Sequence, residues 1–237
     1  MLLLFDIDGT LVVGAAEAHA AALDEALLEV HRVDARAARR RLNPAGRTDG
    51  EITRAILLDA GVSSDRIDEL AIDVRECASR AYARLCPLDL SATVLAGMPD
   101  LLAELSARAG VRLGLTTGNY EPIARLKLAR AGLGKYFPAG QGAFGSDSED
   151  RAALPKIARR RAGTKGHPYA REQTIVIGDT PLDIACARAD GVRCIAVASG
   201  NYGVEELAGA DAVVGDCEAL REVLGAELAR IQEPRQN

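Results

Sequence analysis

Two acids, Asp6 and Asp8, stand one residue apart, just after the apolar run Leu2-Leu3-Leu4-Phe5 and just before Gly9. On an extended backbone alternate side chains share a face, so this spacing puts both carboxylates on one side. Like charges held together and partly desolvated repel each other, and such a pair wants a cation. Two later stretches repeat the pattern of an apolar run closed by polar residues. Residues 111–115 lead into Thr116-Thr117-Gly118-Asn119, and residues 174–177 lead into Gly178-Asp179. If the three runs are neighbouring strands of a parallel sheet, their polar ends meet in one crevice. A carboxylate there can act as a nucleophile toward phosphorus. A second acid can protonate the leaving oxygen and later activate water. A third can help hold Mg²⁺, which prefers oxygen ligands. Hydroxyl and backbone N–H groups at Thr116 and Thr117 suit phosphate oxygens, and a further cation would neutralise the transferring group.

The elements that must position these residues can be read from the pattern. Leu2–Phe5 is a short unbroken apolar run, the mark of a strand buried on both faces. From Gly14 to about residue 88 no strand-like run appears. Helical spacing occupies 14–30, 49–60 and 65–85, separated by turn signals at Asn43-Pro44-Ala45-Gly46 and Gly61-Val62-Ser63-Ser64. From residue 97 helices and strands alternate. Strands are expected at 111–115, 174–177 and 194–197, helices at 99–108, 121–131, 152–161 and 182–189, a loop region with Phe137 and Phe144 before 146–151, and short units of unassigned type at 204–208, 212–214 and 217–229. The tail 233–237 is expected to fray. This order predicts an α/β fold, a Rossmann-like doubly wound parallel sheet, with a helical block inserted after its first strand.

Composition excludes several functions. A chain of 237 residues with 48% hydrophobic and 27% charged residues has the make-up of a soluble globular protein. The net charge of −5 and the 3% aromatic content argue against nucleic acid or an anionic membrane as partner. No run is long enough to span a bilayer. Five cysteines without a Cys-x-x-Cys pair argue against a zinc site and a disulfide framework, so a cytoplasmic setting is expected. Gly140-Gln141-Gly142-Ala143-Phe144-Gly145 matches Gly-x-Gly-x-x-Gly, but with no clear strand before it and no long helix directly after it the context for a dinucleotide is missing. His19, His31 and His167 share no ligand spacing, and His19 and His31 read as packing or surface residues. The sequence is silent on oligomeric state.

Asp6-Ile7-Asp8-Gly9-Thr10, Thr116-Thr117-Gly118-Asn119 and Gly178-Asp179-Thr180-Pro181-Leu182-Asp183 resemble the motifs of the haloacid-dehalogenase-like hydrolases, most closely the phosphoglycolate-phosphatase and β-phosphoglucomutase-like branch. The resemblance spans the chain and implies a core of residues 1–13 and 89–237 with a helical cap of residues 14–88. It implies a phosphatase acting on a small phosphorylated metabolite with Mg²⁺, through an aspartyl-phosphate. Asp6 would be nucleophile and metal ligand, and Asp8 the acid and base with its backbone carbonyl on the metal. Asp179 would ligate the metal and Asp183 would support it directly or through water. Thr116, with Thr117 beside it, would bind the phosphoryl group. The stabilising cation would be Arg151, favoured by spacing, or Lys156, favoured by residue type. Gly46-Arg47-Thr48-Asp49 resembles a substrate-contacting cap loop, making Arg47 and Thr48 candidates for the substrate, although Asp49 could simply cap the next helix.

Other chemistries fit less well. A dehalogenase of this family normally lacks the acid at the position of Asp8. A phosphonoacetaldehyde hydrolase needs a cap lysine, and the first lysine of the chain is Lys127. A sugar phosphomutase would want a His–Lys pair near the cap, and that lysine is likewise missing from the cap. A non-catalytic binding protein would not be expected to keep every acid.

Overall fold

A computed structural model of the protein describes residues 1–39 and 41–232; the tail 233–237 lies outside the described residues. Six parallel strands form one sheet: β1 (Leu2–Phe5), β2 (Arg112–Thr117), β3 (Ala143–Phe144), β4 (Thr174–Gly178), β5 (Arg193–Val197) and β6 (Ala212–Val214). Their order in space is β3-β2-β1-β4-β5-β6. The chain winds outward from β1 in one direction, then crosses back and winds outward from β4 in the other. The boundary between β1 and β4 is therefore the switch point, beyond whose carboxyl ends a ligand crevice opens.

Alternation along β1 explains why both faces are covered. Leu3 and Phe5 face one core, closed by α6 (Met98–Ala107), α7 (Glu121–Arg130) and α10 (Cys217–Gln232). Leu2 and Leu4 face the other, closed by α8 (Leu154–Ala162) and α9 (Pro181–Asp190). β3 stands where a loop was expected. It is two residues long and pairs only with the end of β2, too little for an apolar pattern to announce it.

The inserted block carries α1 (Ala16–His31), α2 (Arg36–Arg39), α3 (Asp49–Asp59), α4 (Ser64–Glu69) and α5 (Ala71–Leu85). The single helix expected over 65–85 is broken at Leu70, which ends α4 and opens α5 with φ −104° and ψ 9°. No helix among the described residues is long and apolar enough to cross a membrane.

This block is drawn tightly onto the sheet. The Asp49 N–H donates to the Gly118 carbonyl at 2.8 Å. The Thr48 hydroxyl donates to the Glu149 carbonyl at 2.7 Å, and the Asn43 amide to the Tyr202 hydroxyl at 3.0 Å. Gly118 permits the approach, because a Cβ there would collide with the Arg47 carbonyl.

Candidate active site

Asp6 follows β1 directly and is buried, with its backbone N–H on the Ile177 carbonyl of β4 at 2.8 Å. Gly9, at φ +85°, turns the chain back so that the Thr10 hydroxyl donates to Asp179 Oδ1 at 3.2 Å. Asp179 follows β4 as Asp6 follows β1. Oxygens of Asp6, Asp179 and Asp183 lie within 4.8 Å of one another. Burial, and then Asp6 and Asp183, pushes the Asp179 carboxyl up to about 8. Burial also pushes Asp6 up, to about 7, against the pull of Arg151.

Arg151 lies at the centre of this cluster, itself buried. Its Nη2 is 3.3 Å from Asp6 Oδ2 and also donates to Asp183 Oδ1. Asp183 is fully buried and its other oxygen accepts from the Thr180 N–H at 3.0 Å and hydroxyl at 2.6 Å, a capping box that opens α9. With both oxygens engaged, Asp183 fixes Arg151 and the loop more than it offers a free ligand.

Two buried polar atoms here have no protein partner, the Thr116 hydroxyl and Arg151 Nε. The register aligns Phe5 with Leu115, so Thr116, one residue before the end of its strand, stands level with Asp6. Buried polar atoms are seldom left unpaired, and a phosphoryl oxygen would satisfy both.

Asp8 is arranged differently. Lys127 Nζ, wholly buried on α7, lies 2.7 Å from each of its oxygens, and the Asn119 amide donates to Oδ2 at 2.9 Å. Burial alone would push the Asp8 carboxyl up, but Lys127 and its neighbours outweigh that and hold it below the usual range. Lys127 also meets Asn119 Oδ1 at 2.9 Å and His19 Nδ1 at 3.4 Å. His19 Nε2 in turn is 3.0 Å from Asp49 Oδ2.

A cavity of about 360 Å³ separates cap from core, its walls including Asp6, Asp8, Arg151, Asp179, His19 and Arg47. The sequence-derived candidates therefore divide. Asp6, Asp8, Asp179, Asp183, Arg151 and Thr116 converge. Lys156 does not, being exposed on α8 one and a half turns beyond Arg151. Thr117 is buried, and its hydroxyl is engaged, accepting from the Asn119 N–H at 3.4 Å. Thr48 also leaves the substrate list, because its hydroxyl caps α3 through the Glu51 N–H at 3.1 Å and binds Glu149. Arg47 lines the cavity while pairing with Glu51 and the Asn43 carbonyl.

His19 and Lys127 were missed as a pair. His19 packs edge-on against Tyr82 but also bonds Lys127 and Asp49, and the lysine absent from the cap is supplied by the core. The signal was a lysine in the apolar stripe of α7, beside Ile123, Ala124 and Leu128.

The crowded, oxygen-only donor set of Asp6 and Asp179 fits a divalent metal ion. The raised carboxyls yield a test. Their folded values of about 7 and about 8 exceed the ordinary 3.8, so the folded state holds more protons than the unfolded one between those limits. Their stabilising contribution is complete below about pH 4 and is lost as pH rises through 7 and 8. A cation that replaces those protons should stabilise the fold more at pH 8 than at pH 5.5, with a gain at pH 8 of about 2–3 kcal/mol at a hundredfold excess over its Kd, read as a higher melting temperature. Thermal melts with and without Mg²⁺ check this; equal gains at both pH values would place the ion elsewhere.

Residues 3–188 match the family model of the haloacid dehalogenase-like hydrolases. The chain is 32% identical over 228 residues to a phosphoglycolate phosphatase of Rhodospirillum rubrum, covering 94% of this chain and 90% of that one. It is 28% identical to a phosphoglycolate phosphatase of Photorhabdus laumondii, covering 97% and 94%. Among solved structures, a hydrolase from Pseudomonas syringae superposes with a TM-score of 0.65 at 23% identity, covering 95% and 98%. A β-phosphoglucomutase from Clostridium difficile superposes at 0.66 with 17% identity, covering 97% of each chain. These two share the fold.

Proposed function

The chain belongs to the haloacid dehalogenase-like hydrolases, and from that premise we propose that it is a Mg²⁺-dependent phosphatase of a small phosphorylated carboxylic acid, of the phosphoglycolate kind. The observation that carries this reading is the buried Asp6 facing Arg151, with two unpartnered donors beside it and two further carboxylates behind.

An Asp6 oxygen attacks phosphorus, the ester P–O bond breaks, and Asp8 gives a proton to the departing oxygen. Water then attacks the aspartyl-phosphate, returns a proton to Asp8, and releases phosphate with Asp6 regenerated. Arg151 and the Thr116 hydroxyl hold the phosphoryl oxygens through both displacements. Asp6, Asp179 and the Asp8 backbone carbonyl would hold Mg²⁺, which supplies neutralising charge when bound. The cap covers one side of the cavity and leaves Arg47 to read the rest of the substrate. The guanidinium retains N–H donors beyond those used by Glu51 and Asn43, and its planar fork suits a carboxylate.

Phosphate release from a panel of phosphorylated metabolites, with Mg²⁺ and with chelator, tests the proposal. Phosphoglycolate should rank among the best substrates, and chelator should abolish its turnover. Arg47→Ala should cost about one and a half decades or more in kcat/KM on that substrate, the scale of the about 2–5 kcal/mol of a lost desolvated charge contact. An aryl phosphate without a carboxylate should be hydrolysed about as well as before. Equal losses on both would remove Arg47 from substrate recognition, and turnover in chelator would remove the metal.

A further inference from the structure

We propose that Lys127 is the positioning residue for Asp8, fixing the acid from the core while a cap histidine fixes Lys127. The inference rests on the reading of Asp8 as acid and base. An ammonium has three N–H donors. Lys127 Nζ meets three acceptor residues, with 2.7 Å to each Asp8 oxygen, 2.9 Å to Asn119 Oδ1 and 3.4 Å to His19 Nδ1. The tripod leaves no N–H for a ligand, and Lys127 is not part of the cavity wall. Its side chain is 0% exposed, whereas that of Asp8 is 33% exposed. Lys127 therefore holds the back of a carboxylate whose remaining surface is open to the cavity. Asn119 completes the clamp, donating to Asp8 Oδ2 and accepting from Lys127.

The third leg crosses the domain boundary. With Nδ1 accepting from Lys127, the proton of a neutral His19 sits on Nε2 and is donated to Asp49 at 3.0 Å. Asp49 Oδ2 also accepts the Tyr120 N–H at 2.7 Å, at the start of the helix that carries Lys127. The His19 ring stacks edge-on to Tyr82 at 5.7 Å, and Lys127 Nζ lies 5.9 Å from the centre of that same ring. His19 of α1 and Tyr82 of α5 thus stand beside the tip of Lys127, and Asp49 of α3 holds His19 there. A misplacement of about 1 Å in a reacting group can cost about a hundredfold in rate, so a held Asp8 is worth this much buried polarity.

The test is a double-mutant cycle of wild type, Lys127→Met, Asp8→Asn and the double variant, with Mg²⁺ present, on phenyl phosphate and p-nitrophenyl phosphate. Lys127→Met should lower kcat on phenyl phosphate about a hundredfold, within the range for lost acid–base catalysis, with KM within about threefold. The loss should be smaller on p-nitrophenyl phosphate, whose leaving group needs less protonation. The double variant should be no slower than Asp8→Asn, because Lys127 acts only through Asp8. Wild-type kcat in Lys127→Met, or losses that multiply in the double variant, would overturn the inference while leaving Asp8 in its role. Wild-type kcat in Asp8→Asn would overturn the role of Asp8 and this inference with it. Should Lys127→Met fail to fold, Lys127→Gln, which keeps volume and a donor, is put through the same cycle with the same two outcomes.

Discussion

Replacing Asp6 by Asn should lower kcat by about four decades or more while leaving the fold intact. The amide has no oxygen able to form the acyl-phosphate bond, and no other carboxylate stands in its place. Asp179 lies behind it, hugged by Gly9 and Gly200, which leave no room for a Cβ against its side chain. Asp183 is spent on Thr180 and Arg151. The fold should survive because burial already disfavours ionised Asp6, and the amide keeps the shape without the charge. Phosphate release gives kcat, and a thermal melt above pH 7 shows whether stability is kept. Retention of a tenth of wild-type kcat would remove Asp6 as nucleophile.

Loss of Arg151 should be nearly as severe in rate and worse for stability. Arg151→Met takes away the charge that faces both Asp6 and the phosphoryl oxygens, for which about three decades in kcat is the usual scale. It also strands Asp183, a fully buried carboxylate, so unfolding should become easier by about 3–5 kcal/mol. Arg151→Lys restores a charge but not the fork, and should recover part of each loss. Lys156→Ala, on the exposed face of α8, should leave kcat within about twofold. Steady-state kinetics and denaturant melts of the three variants decide the matter. A larger kinetic loss from Lys156→Ala than from Arg151→Met would hand the stabilising role to the lysine.

The sequence carried the skeleton of this site openly. Leu2–Phe5 and the apolar run before Asp179 have to be buried strands, and polar residues closing buried strands have to gather where the sheet ends. Alternation of helix and strand supplied the doubly wound order. What stayed hidden depends on packing between distant segments. Ala143–Phe144 became a strand because the end of β2 was there to pair with it. Thr48 looked like a ligand for substrate, yet a threonine three residues before Glu51 is equally an N-cap, and its hydroxyl went to the helix and to Glu149. Spacing and residue type disagreed over Arg151 and Lys156, and only the turn of the helix sends one to Asp6 and the other to solvent. Lys127 could have been noticed, since a charge on the apolar stripe of a helix must find a partner. That the partner was Asp8, 119 positions away, belonged to the fold.

The parallel order of the sheet bears on how the chain is made. Of the strands in this sheet β1 comes earliest in the chain, and it is enclosed on both edges, pairing with Arg112–Thr117 on one and with Thr174–Gly178 on the other. During synthesis Leu2–Phe5 must wait, apolar and unpaired, until more than a hundred further residues have emerged. The cap, whose helices need mostly each other, can condense in the meantime. Chain order sets only when each pairing becomes possible: β1 with β2 before β4 has been made, and the acids together only once β4 is in place. A nascent chain halted before Asp179 would expose its future centre as a sticky edge, the kind of surface that chaperones hold and aggregates recruit.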